Sequence, residues 1–125
     1  MSKILVIDDS QLVRNFHSYI IKEAGFEVVT AMDGADGLEK FFNEHFDIVL
    51  TDINMQGMDG YEFIRRVRQN GQHDHVPIII VSTQGGENGK MKGFAAGANL
   101  FLAKPSDASK IVTSIKMLLC NSTKS

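Results

Sequence analysis

The chain is 125 residues long with a formal charge of −2, which predicts one domain spanning 1–125 that buries roughly two-thirds of its unfolded surface. So small a net charge supplies no basic field for nucleic acid. No apolar run approaches the ~20 residues of a membrane span.

Residues about 3–7 form a first strand, because Ile4-Leu5-Val6-Ile7 is a short β-branched run closed by Asp8-Asp9. A strand beginning this early leaves no room for a signal peptide and points to the cytoplasm. Ser10 is suited to cap a helix on which Leu12, Val13, Phe16 and Ile20 recur at helical spacing until Gly25 stops it. Glu27 to Ala31 is a second strand. Asp33 with Asp36 opens a second helix carrying Ala35, Leu38, Phe41 and Phe42. A third strand spans about 47–51 and runs into Asp52. Asp59-Gly-Tyr-Glu62 resembles a capping box for a helix with Phe63, Ile64 and Val67 inward. On that helix Arg65, Arg66 and Arg68 read as a solvated face. Pro77 begins a fourth strand with Ile78-Ile79-Ile80-Val81 at its core. The stretch 85–97 carries Gly85, Gly86, Gly89, Gly93 and Gly97. Each interior glycine costs a helix about 1 kcal/mol relative to Ala, so a short or pliable fourth helix is expected. Residues 100–103 form the fifth strand. Ile111, Val112, Ile115, Leu118 and Leu119 mark a last helix, with Cys120 packed at its end. Residues 121–125 form a polar, frayed tail.

Strict alternation of strands and helices predicts an α/β fold, a five-stranded parallel sheet with helices on both faces and right-handed crossovers. The order 2-1-3-4-5 places the first and third strands side by side at the switch point. In such a sheet the ligand crevice lies at the carboxyl ends of the strands. Asp8-Asp9 end the first strand, Asp52 ends the third, and Lys104-Pro105 end the fifth. Two unit charges 4 Å apart repel by about 4 kcal/mol at an effective dielectric of about 20, so a cation is the natural remedy. Hard oxygen ligands without cysteine or histidine favour Mg²⁺ over zinc. Helix capping or solvation would explain one such aspartate better than it explains three with a lysine.

The run Lys3 to Asp9, then Asp52, Ser82 and Lys104-Pro105, resembles the response-regulator receiver domain in its stand-alone chemotaxis form, over residues about 3–120. The 2-1-3-4-5 order is also that family's order, so the two expectations are not independent. The resemblance implies that Asp52 accepts a phosphoryl group from a histidine kinase as a carboxylate nucleophile. It implies Mg²⁺ bound by Asp9, Asp52 and the backbone carbonyl of Asn54, with Asp8 acting mainly through water. The metal would offset charge on the transferred oxygens. Lys104 would pair with one phosphoryl oxygen and Ser82 would donate to another, with the Lys104–Pro105 bond cis. Phe101 stands at the family's aromatic switch position. Movement of Ser82 toward the phosphoryl would let that ring rotate inward and bias the surface of helix 4, strand 5 and helix 5. Plain core packing is the other reading of Phe101. The implied partner on that surface is a downstream protein, a flagellar switch or a histidine phosphotransfer protein, and the chain is expected to be a monomer. It would catalyse only its own phosphorylation and autodephosphorylation.

The chain departs from the family's usual pattern at several positions. Gln56 stands where the family often has Pro, which makes the loop less rigid. Thr83 stands where Ala is usual, and Phe101 lacks the hydroxyl of a Tyr. Asn54 and Gln84 flank the point of water attack and are expected to tune the acyl-phosphate lifetime. A phosphorelay intermediate is an alternative within the family. A Mg²⁺-dependent phosphatase of the haloacid-dehalogenase type would need a second aspartate where Asn54 stands. A flavin carrier would place its phosphate loop where Asp8-Asp9 would repel it. The Gly85-Gly86-Glu-Asn-Gly89 run is not a dinucleotide fingerprint. His73-Asp-His75 reads as a solvated loop, His17 and His45 as structural helix residues, and the methionines mostly as core filling.

Overall fold

A computed structural model describes residues 1–71, 75–83 and 86–122. The apolar runs become β1 (Lys3–Ile7), β2 (Glu27–Ala31), β3 (Ile48–Thr51), β4 (Ile78–Ser82) and β5 (Leu100–Ala103). Between and after them lie α1 (Gln11–Glu23), α2 (Gly34–Asn43), α3 (Gly60–Gln69), α4 (Gly86–Ala96) and α5 (Ala108–Ser122). All four strand pairings are parallel and the order is β2-β1-β3-β4-β5, as the alternation predicts.

Alternation along each strand divides the core in two. Leu5, Ile7, Val49, Ile78 and Ile80 pack with Phe41 of α2, Phe63, Ile64 and Val67 of α3, and Ala96 of α4. Ile4, Val6, Ile48, Leu50, Ile79 and Val81 pack with Ile20 and Ile21 of α1 and with Ile111 and Ile115 of α5. Helices therefore cover both faces, and strands buried on both sides need the near-continuous apolar runs seen in the sequence. Among the described residues no helix is long and apolar enough to cross a membrane.

Helix starts follow their caps. Ser10 Oγ accepts from the Val13 amide at 3.3 Å. Asp33 Oδ1 accepts from Asp36 N at 2.8 Å while Asp36 Oδ2 accepts from Met32 N at 3.0 Å. At α3 only half of the expected box forms. Asp59 Oδ1 accepts from Glu62 N at 2.9 Å, but the Glu62 carboxylate turns to Arg65 and Arg66, at 3.1 and 2.9 Å. Two nearby guanidinium groups outcompete one backbone amide for that carboxylate, and hold its pKa below the ordinary glutamate range.

Other expectations need correction. On α1 it is His17, Ile20 and Ile21 that are buried, whereas Leu12 and Phe16 are exposed. Phe42 of α2 is also exposed. The fourth helix is not short: α4 runs for 11 residues. Its Gly93 lies against the sheet, where a Cβ would come within 2.7 Å of Ile80 Cδ1, so close packing compensates for poor propensity. Arg68 is not part of a solvated face; its guanidinium bonds the Gly97 carbonyl at 2.9 Å and Asn99 Oδ1 at 2.8 Å. Cys120 is exposed. His45 lies beyond the end of α2, exposed and beside Asp47. Met55 and Met58 do pack against the core, but Met32, Met91 and Met117 are exposed. α5 continues to Ser122, into the segment expected to fray. Gln84, His73 and Asp74 lie outside the described residues, as do 123–125.

Candidate functional site

The register of the two central strands builds the site. Ile7 pairs with Thr51 at the carboxyl ends of β1 and β3, so the next residues, Asp8 and Asp52, emerge side by side. The Asp52 amide continues the ladder by bonding the Ile7 carbonyl at 3.0 Å, and the Asp8 amide bonds the Ala31 carbonyl at 3.2 Å. Asp8 and Asp52 are buried and Asp9 is exposed. One carboxylate oxygen from each of the three lies within 4.8 Å of the other two.

Lys104 arrives from the other side. Ser82 pairs with Ala103 at the ends of β4 and β5, and the Lys104 amide bonds the Ser82 carbonyl at 2.9 Å. Its ammonium reaches back to donate to Asp8 Oδ2 at 2.7 Å and to Asp52 Oδ2 at 3.2 Å. Burial by itself would lower the pKa of this amine. The hydrogen bond to Asp8 and the charges of Asp52 and Asp8 together outweigh burial, and the net direction is above the ordinary lysine value. The amine is therefore a fixed positive charge between two acids. The Lys104–Pro105 peptide bond is cis.

The remaining carboxylate oxygens are also engaged. Asp8 Oδ1 accepts from the Ser10 amide at 2.9 Å, so both of its oxygens have protein donors. Asp52 Oδ1 accepts from the Ile53 amide at 2.7 Å. Three converging hard-oxygen donors fit a divalent cation such as Mg²⁺. Asp8 and Asp52 alike have a protein donor on each carboxylate oxygen, so a cation binding either one directly shares that oxygen with its donor or displaces it. Ser82 is fully buried at the end of β4 and Asn54 is exposed on the loop after Asp52. Phe101 is not grouped with the acids; it pairs with Ile80 across β4 and β5, is 8% exposed, and belongs to the core beneath α2, α3 and α4.

Three nearby residues were not singled out from sequence for a place at the site. The Thr51 hydroxyl donates to the Asp52 carbonyl at 2.9 Å. Arg14 Nη1 donates to the Asp8 carbonyl at 2.5 Å. Its position four residues after Ser10, on the first turns of α1, is a spacing that points toward the end of β1. His17 is buried and lines a cavity of about 240 Å³ with Val13, Phe16, Thr83, Lys104 and Pro105. Burial pushes its imidazole pKa down; the Asp8 charge opposes that and the Lys104 charge reinforces it.

Residues 4–116 match the family described as the response regulator receiver domain. The chain is 34% identical to Protein PilG of Pseudomonas aeruginosa over 114 residues, which is 91% of this chain and 84% of PilG. It is 32% identical to Protein PilH of the same organism over 119 residues, covering 95% and 98% of the two chains. The solved chemotaxis response regulator CheY4 of Vibrio cholerae superposes with a TM-score of 0.89 at 35% identity, over 94% of this chain and 98% of that one. Strand order, acidic cluster and lysine all fall inside the matched stretch, and by that match the chain belongs to the receiver domains of two-component response regulators.

Proposed function

We propose that this receiver accepts a phosphoryl group on Asp52 from a histidine kinase and signals through a protein-binding surface, in a pathway of the chemotaxis type. The observation that carries the reading is the Lys104 ammonium placed between Asp8 and Asp52, with three carboxylate oxygens gathered within 4.8 Å. An Asp52 carboxylate oxygen forms the new bond to phosphorus as the phosphorus–nitrogen bond of the donor breaks, its electron pair returning to the donor imidazole. Phosphoryl transfer asks for positioning and charge stabilisation more than for covalent chemistry. The Ile53 amide fixes the orientation of the Asp52 carboxylate, and Lys104 offers a charge at its other oxygen.

Asp9, Asp52 and the Asn54 carbonyl are the residues proposed to hold Mg²⁺, with Asp8 acting through water. When bound, the cation supplies charge compensation for the transferred oxygens. Ser82 is read as a donor to the phosphoryl group, and Asn54 and Gln84 as residues that tune its lifetime. The proposed output face is α4, β5 and α5, biased by Ser82 and Phe101. Because Phe101 already lies inward, switching on this reading shifts a buried ring and does not recruit one from solvent. The reading takes 1–125 as one receiver acting as a cytoplasmic monomer.

Intact-mass analysis after treatment with acetyl phosphate and Mg²⁺ tests the acceptor. One phosphoryl adduct is expected on the native chain, none in EDTA and none on Asp52→Ala. An adduct that persists on Asp52→Ala moves the acceptor elsewhere. Copurification with a flagellar switch protein supports the chemotaxis pathway; copurification with a histidine phosphotransfer protein instead makes the chain a relay intermediate.

A further inference from the structure

We infer that Gly34 and Gly60 are positioning residues for the metal and acceptor site, pinning both ends of the loop between Asp52 and α3. The inference rests on the proposed function, since it concerns the same carboxylate and the loop carrying the Asn54 carbonyl.

At each glycine the nearest contact is a backbone carbonyl oxygen. A Cβ on Gly60 would lie 2.2 Å from the Asp52 carbonyl oxygen and 2.9 Å from Ile53 Cα. The Gly60 amide meanwhile bonds the Ile53 carbonyl at 2.9 Å. The first residue of α3 is therefore seated directly on the main chain of the acceptor. At the far end of the loop, a Cβ on Gly34 would lie 2.6 Å from the Met58 carbonyl oxygen and 3.0 Å from Met58 Cβ. Gly34 is the first residue of α2, held in place by the reciprocal bonds of Asp33 and Asp36. Two helix starts thus press on one loop, at Asp52–Ile53 and at Met58.

Neither contact has a flexible side-chain end that can swing away. Ordinary contact begins near 3.4 Å, so a methyl on Gly60 has to push the Asp52 main chain by about 1 Å, a displacement large enough to disturb positioned chemistry. The same logic at Gly34 moves Met58 and, through the loop, Asn54. Gln56 stands inside this loop without the backbone restraint of a proline. The restraint that the side chain at 56 does not provide comes from the two helix starts.

Gly34→Ala and Gly60→Ala are compared with Gly71→Ala, where a Cβ meets nothing within 4 Å. The readouts are Mg²⁺ affinity by calorimetry, thermal midpoint, and the rate of acetyl-phosphate labelling by intact mass at saturating Mg²⁺. Positioning requires Gly34→Ala to fold and to bind Mg²⁺ roughly 10-fold or more weakly, the range seen when supporting groups of a metal site are altered. Its labelling should be slower even when metal is saturating, and Gly71→Ala should match the native chain in both readouts. Folded variants with native Mg²⁺ affinity and native labelling rate would overturn the inference. So would failure of both Gly34→Ala and Gly60→Ala to fold, because the contacts would then serve folding alone. If the native chain itself takes no phosphoryl on Asp52, the proposed function fails first, and that outcome is distinct from either.

Discussion

The Lys104 ammonium lies 2.7 Å from Asp8 Oδ2 and is the counter-ion that Asp8 shares with Asp52. Both acids are nearly buried, their side chains 2% and 10% exposed. Lys104→Ala leaves two desolvated carboxylates facing each other, so it should destabilise the chain in EDTA by about 3 kcal/mol, the scale of breaking a buried ion pair. A divalent cation draws on the same carboxylates and competes with the amine. Added Mg²⁺ should therefore recover much of the loss, and the variant should bind Mg²⁺ more tightly than the native chain. Urea unfolding with and without Mg²⁺ checks the first expectation and calorimetry the second. Equal unfolding midpoints for variant and native chain in EDTA would mean that the amine is not the shared counter-ion. The variant should still accept phosphoryl, slowly, and phosphorylation should change its affinity for a partner less than it changes the native chain's.

Phe101 packs into the core at 8% exposure, and truncating a buried ring costs about 3–5 kcal/mol through lost transfer energy and the cavity left behind. Phe101→Ala should show that loss in chemical denaturation. A loss under about 1 kcal/mol would place the ring at the surface, where a rotation inward from solvent again becomes the natural switch.

The strands and the strand-end acids were legible for one reason: strands covered on both faces must be largely apolar along their length, so their carboxyl ends are marked by the first charged residues. Asp8, Asp52 and Lys104 are those residues, and the sheet order then fixes their meeting. The inward face of α1 was not legible. Leu12, Val13, Phe16, Tyr19, Ile20 and Ile21 spread around more than one side of a helix, and apolar type alone does not choose which side meets the sheet. Packing selects Ile20 and Ile21 and, with them, His17. The cis bond and the roles expected of Ser82 and Phe101 came from the family resemblance, not from residue spacing.

Arg68 shows why local pattern fails on a charged helix face. It sits beside Arg65 and Arg66 in sequence, but its partners Gly97 and Asn99 are about thirty residues away. Asn99 Oδ1 also accepts from the Ile78 amide at 2.9 Å, so the guanidinium helps hold the turn entering β5 against β4. Arg68→Ala should cost about 1–3 kcal/mol, the scale of leaving such hydrogen-bonding groups unmet. Arg65→Ala removes only an exposed ion pair with Glu62 and should cost about 0–1 kcal/mol. Parallel denaturation of the two variants decides it, and equal losses would return Arg68 to the solvated face.

His17 gives the chain a pH dependence whose sign follows from burial. The imidazole is 4% exposed. Burial holds its pKa below the ordinary value, the Asp8 charge working against that and the Lys104 charge with it. In the unfolded chain an imidazole titrates near its ordinary value of about 6.5. As pH falls through that value, the unfolded chain takes up the proton first, which favours unfolding. Stability linked to His17 is therefore fully present above about pH 6.5 and is lost as pH falls from there toward the folded pKa. The comparison is with His17→Gln in EDTA, so that metal binding does not enter. The difference in unfolding free energy between native chain and variant should be flat from about pH 8 to 7 and should move against the native chain below about 6.5. A difference that stays flat down to about pH 5 would show that the imidazole titrates alike in both states, and that its burial beside Lys104 carries no penalty for the charged form.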